Sequence, residues 1–271
     1  MSVSDLSQSG ARPVLLGADD PAPCVVVNPQ GRSRLVLICE HAGRRVPQGL
    51  GDLGLPQEAF SRHIAFDIGA EGVARALSAR LDAALYAQPY SRLVVDCNRS
   101  LQAPDLIPEV ADGTPVPGNA GLGDAQRAAR FAAIHQGYHA TVAAGLDARG
   151  ARPTALVMVH SFTPRLETEG RDRPMHLGVL YHRDTRLGRA LIPAVQAARP
   201  DLVVAENAPY RCSDLTDYAV PVHGEGRGLP HVLLEIRNDL IATPEGQADW
   251  AALLADTLTA ALTAMDKDTA A

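Results

Sequence analysis

The sequence lacks the features that mark several broad classes of protein. Its 25 Lys and Arg residues are outnumbered by 31 Asp and Glu residues, and the formal net charge is −6. Nucleic-acid binders usually concentrate a basic excess on one face, so we expect no nucleic-acid partner. No run reaches the roughly 18 apolar residues of a membrane-spanning helix, and the segment MSVSDLSQSG lacks the basic and apolar regions of a secretory signal. We therefore expect a cytoplasmic protein without a membrane partner.

Cysteine is scarce, and the common nucleotide and nucleophile motifs are missing. The four cysteines form no CxxC pair, which argues against both a disulfide framework and a thiolate zinc site; they are Cys24, Cys39, Cys97 and Cys212. We expect them to be reduced and mostly structural. The chain has no GxGxxG after a strand-like run, no Walker loop and no GxSxG elbow. Nucleotide-binding and serine-hydrolase functions therefore have no support.

What the sequence does contain is an alternation of short apolar runs with longer segments of helical spacing. The strand-like runs are RLVLICE, LYAQPYSRLVVDCNRS, ALVMVHS, HLGVLYH, DLVVAENAP and HVLLEIRND. The helical segments are DIGAEGVARALSARLDA, residues 124–148, residues 184–199 and PEGQADWAALLADTLTAALTAM. This interleaving predicts an α/β fold in which a mixed, mostly parallel sheet is covered by helices on both faces.

The domain organisation is predicted to be simple. Residues 1–24 are rich in Ser, Gly, Ala, Asp and Pro, and we expect them to form an irregular lead-in. Neither an internal repeat nor a linker follows, so we expect one domain over residues 25–271. The segment 101–123, with its prolines and glycines, is predicted to be a long loop, and such loops in compact domains are usually functional or mobile.

Ionisable residues follow several apolar runs where a buried strand would not tolerate them. His41 and His160 each come directly after strand-like residues. Singly, each is more often a hydrogen-bonded structural histidine, but with a carboxylate the pair favours zinc, which binds three N/O ligands and keeps a position open in catalytic sites. Asp67 and Glu40 are the candidate third ligands. Consecutive strand residues point to opposite faces, which counts against Glu40, whereas Asp67 has an alternative role as a helix N-cap.

Glu235 is the candidate proton carrier. In HVLLEIRND the period-two alternation places Glu235 and Arg237 on the face opposite to Val232 and Leu234. The two charged residues could form only a structural ion pair, since buried charges are usually paired. In the functional interpretation Glu235 accepts a proton from zinc-activated water. Arg237 would then orient the substrate or hold the glutamate.

Asn98 and Arg99 offer planar donors suited to a substrate carboxylate, which a guanidinium binds in a bidentate manner. The alternative is that Arg99 anchors a loop. Arg92 and Arg211 lie beside the same kind of apolar run, and each could be a second carboxylate clamp or an ordinary surface arginine.

The other histidines carry weaker signals. His135 and His139 are four apart on a predicted helix without an HExxH glutamate, so we expect them to be solvated or capping residues. His63 is a weaker ligand candidate than His41 or His160. His223 falls in PVHGEGRG, which could contribute to a substrate loop.

Six segments taken in order carry a resemblance to a known family. The set EHAGRRVP, HIAFDIGA, YSRLVVDCNRS, VHSFTP, ENAPYR and LPHVLLEIRNDLI resembles the N-formylglutamate amidohydrolase family over residues 25–260. That family is similar in fold to the zinc carboxypeptidases and aspartoacylases. The resemblance implies a zinc amidohydrolase of amino-acid catabolism, in histidine degradation, that cleaves a short N-acyl group from an acidic amino acid such as N-formylglutamate.

The resemblance also implies roles for individual residues. It marks His41 and His160 as zinc ligands, Asn98 with Arg99 as a clamp for the substrate carboxylate, and Glu235 as the general base or acid.

The sequence departs from the carboxypeptidase-like pattern His-x-x-Glu, because Arg44 stands three residues after His41. The carboxylate ligand therefore remains open, with Asp67 favoured over Glu40. Two other functions also remain open. One is a zinc deacylase or carboxypeptidase that acts on a different amide, and the other is a metal-free protein that holds a small carboxylate ligand through Arg99 and Arg237.

Overall fold

A computed structural model describes residues 15–270 of the chain, and their side chains as far as residue 267. The strands are β1 Val25–Val27, β2 Leu35–Cys39, β3 Ala84–Ala87, β4 Val110–Ala111, β5 Thr114–Pro115, β6 Ala155–Phe162, β7 Leu177–Leu180, β8 Val204–Glu206 and β9 His231–Arg237. The α-helices are α1 Ala70–Leu81, α2 Asp124–Arg130, α3 Gly137–Asp147, α4 Arg186–Ala198 and α5 Pro244–Ala270. Of the predicted lead-in, residues 1–14 lie outside the described residues, and residues 15–24 form turns and irregular backbone.

Seven strands form one mixed sheet in the order β1-β3-β2-β6-β9-β7-β8. Strands β3, β2, β6 and β9 are mutually parallel, and β1 runs antiparallel to β3 at one edge. At the other edge β7 is antiparallel to β9 and parallel to β8. The prediction of a mixed, mostly parallel sheet is confirmed. The small β4-β5 hairpin lies inside the long loop 101–123.

The two faces of the sheet bury different layers of side chains, because successive strand residues alternate in direction. On β2, Leu35 and Leu37 pack with α1, α4 and α5 on one face, while Val36 and Ile38 pack with α3 on the other. Each such fully buried aliphatic side chain stabilises the fold by about 1.5–3 kcal/mol. Helices therefore cover both faces, as the alternation of runs predicts.

The helices agree closely with the helical segments of the sequence. The segment predicted at residues 124–148 is α2 and α3 joined by a π-helical turn, Phe131–Gln136. Turns of this kind occur often beside functional sites. Within residues 15–270, no helix combines the length and the apolar character needed to cross a bilayer. All four cysteines are buried and free, as expected.

The strand-like run LYAQPYSRLVVDCNRS is a strand only at its start, where Leu85, Tyr86 and Ala87 belong to β3. Leu93, Val94 and Val95 are fully buried, yet Leu93 and Val94 lie in a turn, Val95 follows it, and none of the three pairs with the sheet. Ser91 starts the turn, because its backbone oxygen accepts a hydrogen bond from Val94 N at 3.0 Å and its hydroxyl donates to Ala65 O at 2.7 Å. A short apolar run reports burial, and periodicity alone does not distinguish a strand from a buried turn.

Candidate functional site

The candidate site lies at the carboxyl ends of the central parallel strands, where functional groups collect in open α/β sheets. Glu40 and His41 directly follow β2. On the adjacent strands β6 and β9, His160 and Glu235 are register partners on the same face. Asp67 arrives from the segment before α1, and its backbone nitrogen donates to His41 O at 3.0 Å. Four separate parts of the chain thus converge on one buried spot.

His41, Asp67 and His160 form a buried group whose ligand atoms all lie within 4.8 Å of one another. The carboxylate of Asp67 stands between the two imidazoles, with Oδ1 3.4 Å from His41 Nδ1 and Oδ2 2.9 Å from His160 Nδ1. His41 Nδ1 is buried and has no hydrogen-bond partner among the described residues. Two imidazole nitrogens and a carboxylate are the donor set of a catalytic divalent-metal site. The residues present therefore fit a metal ion.

Two more carboxylates hold the far sides of both imidazole rings. His41 Nε2 donates to Asp96 Oδ1 at 2.6 Å, and His160 Nε2 donates to Glu40 Oε2 at 3.0 Å. Such bonds fix the ring orientation and the tautomer of metal-binding histidines, so the two Nδ1 atoms are the ones that would bind a metal ion. Between the two carboxylates left open by the sequence, Asp67 lies between the Nδ1 atoms and Glu40 lies behind His160.

Sequence reasoning missed the role of Asp96, which is buried. Its other oxygen, Oδ2, accepts two hydrogen bonds from Arg92, at 2.6 Å from Nη2 and 3.0 Å from Nε. The available signal was an ionisable residue in the apolar run LVVDCN. Its partner His41 lies 55 residues away, and no local pattern connects them.

The charged forms of Asp67 and His160 stabilise each other. Burial would raise the pKa of Asp67, but His41 and His160 hold it well below its usual value. Burial would lower the pKa of His160, but Glu40 and Asp67 raise it well above its usual value. The carboxylates therefore stabilise positive charge at this spot, which is the charge that a metal ion brings.

Glu235 lies across from the histidines on β9. Its side chain is buried, and Oε2 has no hydrogen-bond partner among the described residues. Burial raises its pKa to about 8; the nearby positive charge of His160 opposes the shift, and Asp67 adds to it. A buried carboxyl group with a raised pKa beside candidate metal ligands can both accept and release protons near neutral pH.

These residues open into a cavity of about 270 Å³. Its wall includes most of the residues that the sequence marked as candidates, namely His41, Asp67, His160, Glu235, Asn98, Arg99, Arg92 and Arg211. Glu40, the other candidate ligand, and His223 are not part of it. Arg237 bonds Asp239 Oδ1 at 2.8 Å and Pro174 O at 3.3 Å, and it is not part of the wall either. His63 also lines the cavity, where it pairs with Asp112 at 3.2 Å.

The prediction that His135 and His139 are solvated or capping residues is wrong, because both are buried. They extend from the α2-α3 helical stretch beneath the segment that carries Asn98. His139 Nε2 donates to Cys97 O at 2.6 Å, and His135 Nε2 donates to Arg99 O at 2.9 Å. The helical spacing of the two histidines could not indicate which surface of the chain covers the helix.

The buried histidines should make the protein sensitive to mild acid. Burial lowers the pKa of His223 to about 4, and it also lowers the pKa values of His139 and His135. An unfolded histidine binds its proton near pH 6.5, so the unfolded state binds more protons between pH 6.5 and 4. Stability should therefore fall as the pH drops through this window, by about 3 kcal/mol from His223 alone.

Chemical denaturation measured at intervals from pH 7 to 4.5 checks this expectation. The free energy of unfolding should decline with falling pH in the unmodified protein, and His223→Gln should reduce the slope. A flat profile between pH 6.5 and 4.5 would contradict the assignment of neutral, buried imidazoles.

A second group with metal-ligating side chains lies elsewhere on the surface and comprises His182, Asp214 and Glu225. The Arg183 guanidinium already bonds both carboxylates of this group. Arg183 N and Asp184 N also donate to Glu225 Oε1. The Arg183 guanidinium thus already provides the positive charge that these carboxylates need. The group is an ion-pair network that holds the loop after β8 in place.

Comparisons with known proteins point to one family. A sequence model of the N-formylglutamate amidohydrolase family matches residues 33–242. The structure is similar to that of gene product Atu2144 from Agrobacterium tumefaciens, with 35% identity and a TM-score of 0.88 over 93% of this chain and 99% of that one. It is also similar to N-formylglutamate amidohydrolase from Ralstonia eutropha JMP134, with 20% identity and a TM-score of 0.58 over 91% and 98%, which shows the fold alone. No curated protein matches the chain in sequence.

Proposed function

This chain belongs to the N-formylglutamate amidohydrolase family, and we propose that it hydrolyses the amide bond of N-acyl amino acids with the help of one zinc ion. The acyl group that we favour is formyl, and N-formylglutamate is the substrate that the family name provides. The products are then formate and the free amino acid. His41, Asp67 and His160 would hold the zinc, and Glu235 would transfer protons.

One observation above all supports the proposal: three buried ligand atoms converge while carboxylates hold the opposite ring nitrogens. His41 Nδ1 and His160 Nδ1 both face Asp67, and Asp96 and Glu40 occupy the Nε2 atoms. A purely structural histidine pair does not need two further buried carboxylates to fix both rings. Imidazole and carboxylate ligands suit zinc, and they would also accept cobalt, nickel or iron.

A bound zinc ion would act as a Lewis acid that polarises the acyl carbonyl and lowers the pKa of water. Glu235 is then the proton carrier. Its Oε2 atom is buried and without a hydrogen-bond partner, so it can accept the proton that the attacking water loses. The same oxygen can pass this proton to the amide nitrogen as the carbon–nitrogen bond breaks. The acid and the amine are then released, and Glu235 returns to its ionised state.

The polar groups of the wall orient the substrate. Arg211 lies on the wall and would bind the substrate carboxylate through its guanidinium. Asn98, Arg99 and Arg92 line the same wall, but the side chain of each is already hydrogen-bonded within the protein. Their contribution is mainly to fix the shape of the wall around the substrate.

Metal analysis and a substrate panel test the proposal together. Protein purified without chelator should carry about one zinc per chain, since one ligand set of this kind lies in the cavity. N-formyl and N-acetyl amino acids, including N-formylglutamate, should be hydrolysed with release of free amine, and chelation should abolish the reaction. Metal-free protein, or a metal-loaded protein inactive on every N-acyl amino acid, would refute the proposed function.

Replacement of Glu40 should lower the affinity for the metal ion without abolishing its binding. Glu40→Gln keeps the shape of the side chain but removes the carboxylate that accepts from His160 Nε2. Losing such a partner typically lowers metal affinity by about 10–100-fold. Competition with a chromogenic chelator measures the affinity, and Glu58→Gln, which alters an exposed carboxylate outside the cavity, is the matched control. Unchanged affinity in Glu40→Gln would contradict its role.

A further inference from the structure

The cavity wall carries four hydroxyl groups, and three of them are already used within the protein. Each of the three donates its proton to a backbone or carboxylate oxygen at 2.8 to 2.9 Å; they belong to Ser161, Thr163 and Thr216. A hydroxyl group has a single proton, so none of these three can donate to a substrate without giving up its present bond. The fourth hydroxyl group is that of Tyr210.

The Tyr210 hydroxyl differs because it acts as an acceptor within the protein and keeps its proton available. Its oxygen accepts a hydrogen bond from Arg173 Nη1 at 2.7 Å, and among the described residues the hydroxyl donates to no group. Partial burial and the carboxyl group of Glu235 raise the pKa of Tyr210, and the Arg173 guanidinium opposes this shift. The phenol therefore stays protonated at neutral pH. It is the one wall hydroxyl of the described chain that can donate to a substrate without losing another bond.

Arg173 fixes the position of this hydroxyl group and strengthens it as a donor. The Arg173 side chain is buried, and its guanidinium carbon lies 5.1 Å from the centre of the Tyr210 ring. Its Nη2 atom donates to both carboxylate oxygens of Glu169 at 3.2 Å, which holds the guanidinium in place. A hydroxyl group that accepts a hydrogen bond from a cation is polarised and becomes a better donor. The guanidinium can therefore influence a substrate through the Tyr210 hydroxyl.

The backbone just before Tyr210 is anchored to the sheet. Asn207 N donates to Val179 O on β7, and Asn207 Oδ1 accepts from Tyr181 N, both at 3.0 Å. Asn207 has a φ of 50°, in the left-handed region that asparagine adopts more readily than most residues. These contacts fix the start of the short segment that carries Tyr210. A side chain supported in this way presents its hydroxyl at a defined place in the cavity.

We infer that Tyr210 is a further catalytic residue, whose hydroxyl donates a hydrogen bond to the acyl oxygen of the substrate, and that Arg173 is the positioning residue behind it. This inference rests on the proposed function and adds two residues to its site. Glu235 serves the water and the amide nitrogen on the carbonyl carbon, and Tyr210 belongs to the same wall as Glu235. The acyl oxygen on that carbon gains negative charge as water adds, and a donor already held in place stabilises this charge. The substrate carboxylate is bound elsewhere on the wall, by Arg211.

Tyr210→Phe tests the hydroxyl group in the zinc-loaded enzyme, with the best substrate of the N-acyl amino acid panel. The residue is 41% exposed, so the variant should fold normally. It should lower kcat by about 10²-fold and change KM by less than about threefold, because the bond strengthens only as charge develops on the acyl oxygen.

Two controls accompany this variant. Its zinc content should equal that of the unmodified protein, since Tyr210 lies outside the group of His41, Asp67 and His160. Tyr86→Phe, which removes a hydroxyl group outside the cavity, is the matched control and should leave kcat unchanged. A raised KM with an unchanged kcat in Tyr210→Phe, or kinetics equal to those of Tyr86→Phe, would overturn the inference.

A double-mutant cycle tests the positioning role of Arg173. Arg173→Gln should lower kcat by about tenfold in the unmodified enzyme but by less than about twofold in Tyr210→Phe, because Arg173 acts through the hydroxyl that phenylalanine lacks. Arg173→Lys keeps a positive charge and a donor, and it should restore part of the lost kcat. Glu169→Gln alters the half-exposed partner of Arg173 and is the matched control, with kcat expected to stay within about twofold. An equal loss of kcat from Arg173→Gln in both backgrounds would overturn the assignment of Arg173.

Calorimetric titration gives a readout that does not depend on turnover. The probe is the methylphosphonamidate of glutamate, which carries an anionic oxygen in place of the acyl oxygen. Tyr210→Phe should weaken binding of this probe to the zinc-loaded protein by about tenfold or more. If the unmodified enzyme hydrolyses no compound of the panel, the proposed function fails, but weaker binding of the probe to Tyr210→Phe would still support the contact. Equal binding of the probe by the two proteins would overturn it.

Discussion

Glu235→Gln is expected to lower kcat by about 10³-fold while the zinc content stays at that of the unmodified protein. Glutamine has the same shape as glutamate but cannot accept the proton that water loses. The side chain is buried beside His160 and does not belong to the group that His41, Asp67 and His160 form, so metal binding should survive. Steady-state kinetics on the best N-acyl amino acid, together with elemental analysis of the same preparation, measure both quantities.

A stability measurement separates this role from a structural one. Burial raises the pKa of Glu235 to about 8, whereas an unfolded glutamate has a pKa near 4.5, so the ionised form is less favourable in the folded state. The penalty develops as the pH rises from 4.5 to 8. Metal-free Glu235→Gln should therefore be at least as stable at pH 8 as the metal-free unmodified protein. If the variant loses stability, or if its kcat matches that of the Glu58→Gln control, Glu235 is not the proton carrier.

His160→Ala is expected to abolish metal binding and to destabilise the fold at the same time. The imidazole is a proposed ligand, and its Nε2 atom is also the hydrogen-bond partner of Glu40 Oε2. Glu40 is fully buried, and its Oε1 atom has no partner among the described residues. Without His160, Glu40 becomes an uncompensated buried charge, and breaking a buried pair in this way costs about 3–5 kcal/mol.

The double variant His160→Ala with Glu40→Gln separates the two effects. Removal of the Glu40 charge should restore part of the lost stability, because an amide is less costly to bury than a carboxylate. It should not restore the metal, because the ligand remains absent. Denaturant titration and elemental analysis of the two variants measure these outcomes. Full zinc occupancy in His160→Ala would remove His160 from the ligand set, and equal stability of the two variants would contradict the contact with Glu40.

The sequence predicted the framework of the site because the framework depends on local patterns. Period-two alternation in HVLLEIRND correctly separates Glu235 from Val232 and Leu234, which pack into the opposite layer. The abrupt change from apolar residues to Glu40 and His41 marks the carboxyl end of β2. The pattern failed where a strand and a turn would bury the same residues, as they would at Leu93 and Val94, which lie in a turn.

Such local patterns could not predict which residues pair with each other from distant parts of the chain. No local pattern joins His41 to Asp96 across 55 residues, or His160 to Glu40 across 120 residues. The prediction that His135 and His139 are solvated or capping residues failed for the same reason, because the segment that carries Asn98 covers both.

By itself, then, the sequence determined the fold class, the chemical types of the candidate ligands and the strand face that carries Glu235. These follow from backbone periodicity and from the rule that buried ionisable groups need partners. Only the tertiary structure decided that Asp67 faces both Nδ1 atoms, that Glu40 and Asp96 lie behind the rings, and that Arg211 alone among the wall arginines of the described chain is unpaired. The physical reason is that hydrogen bonds and ion pairs depend on separations of about 3–4 Å, and the packing of the whole sheet and its loops sets these separations.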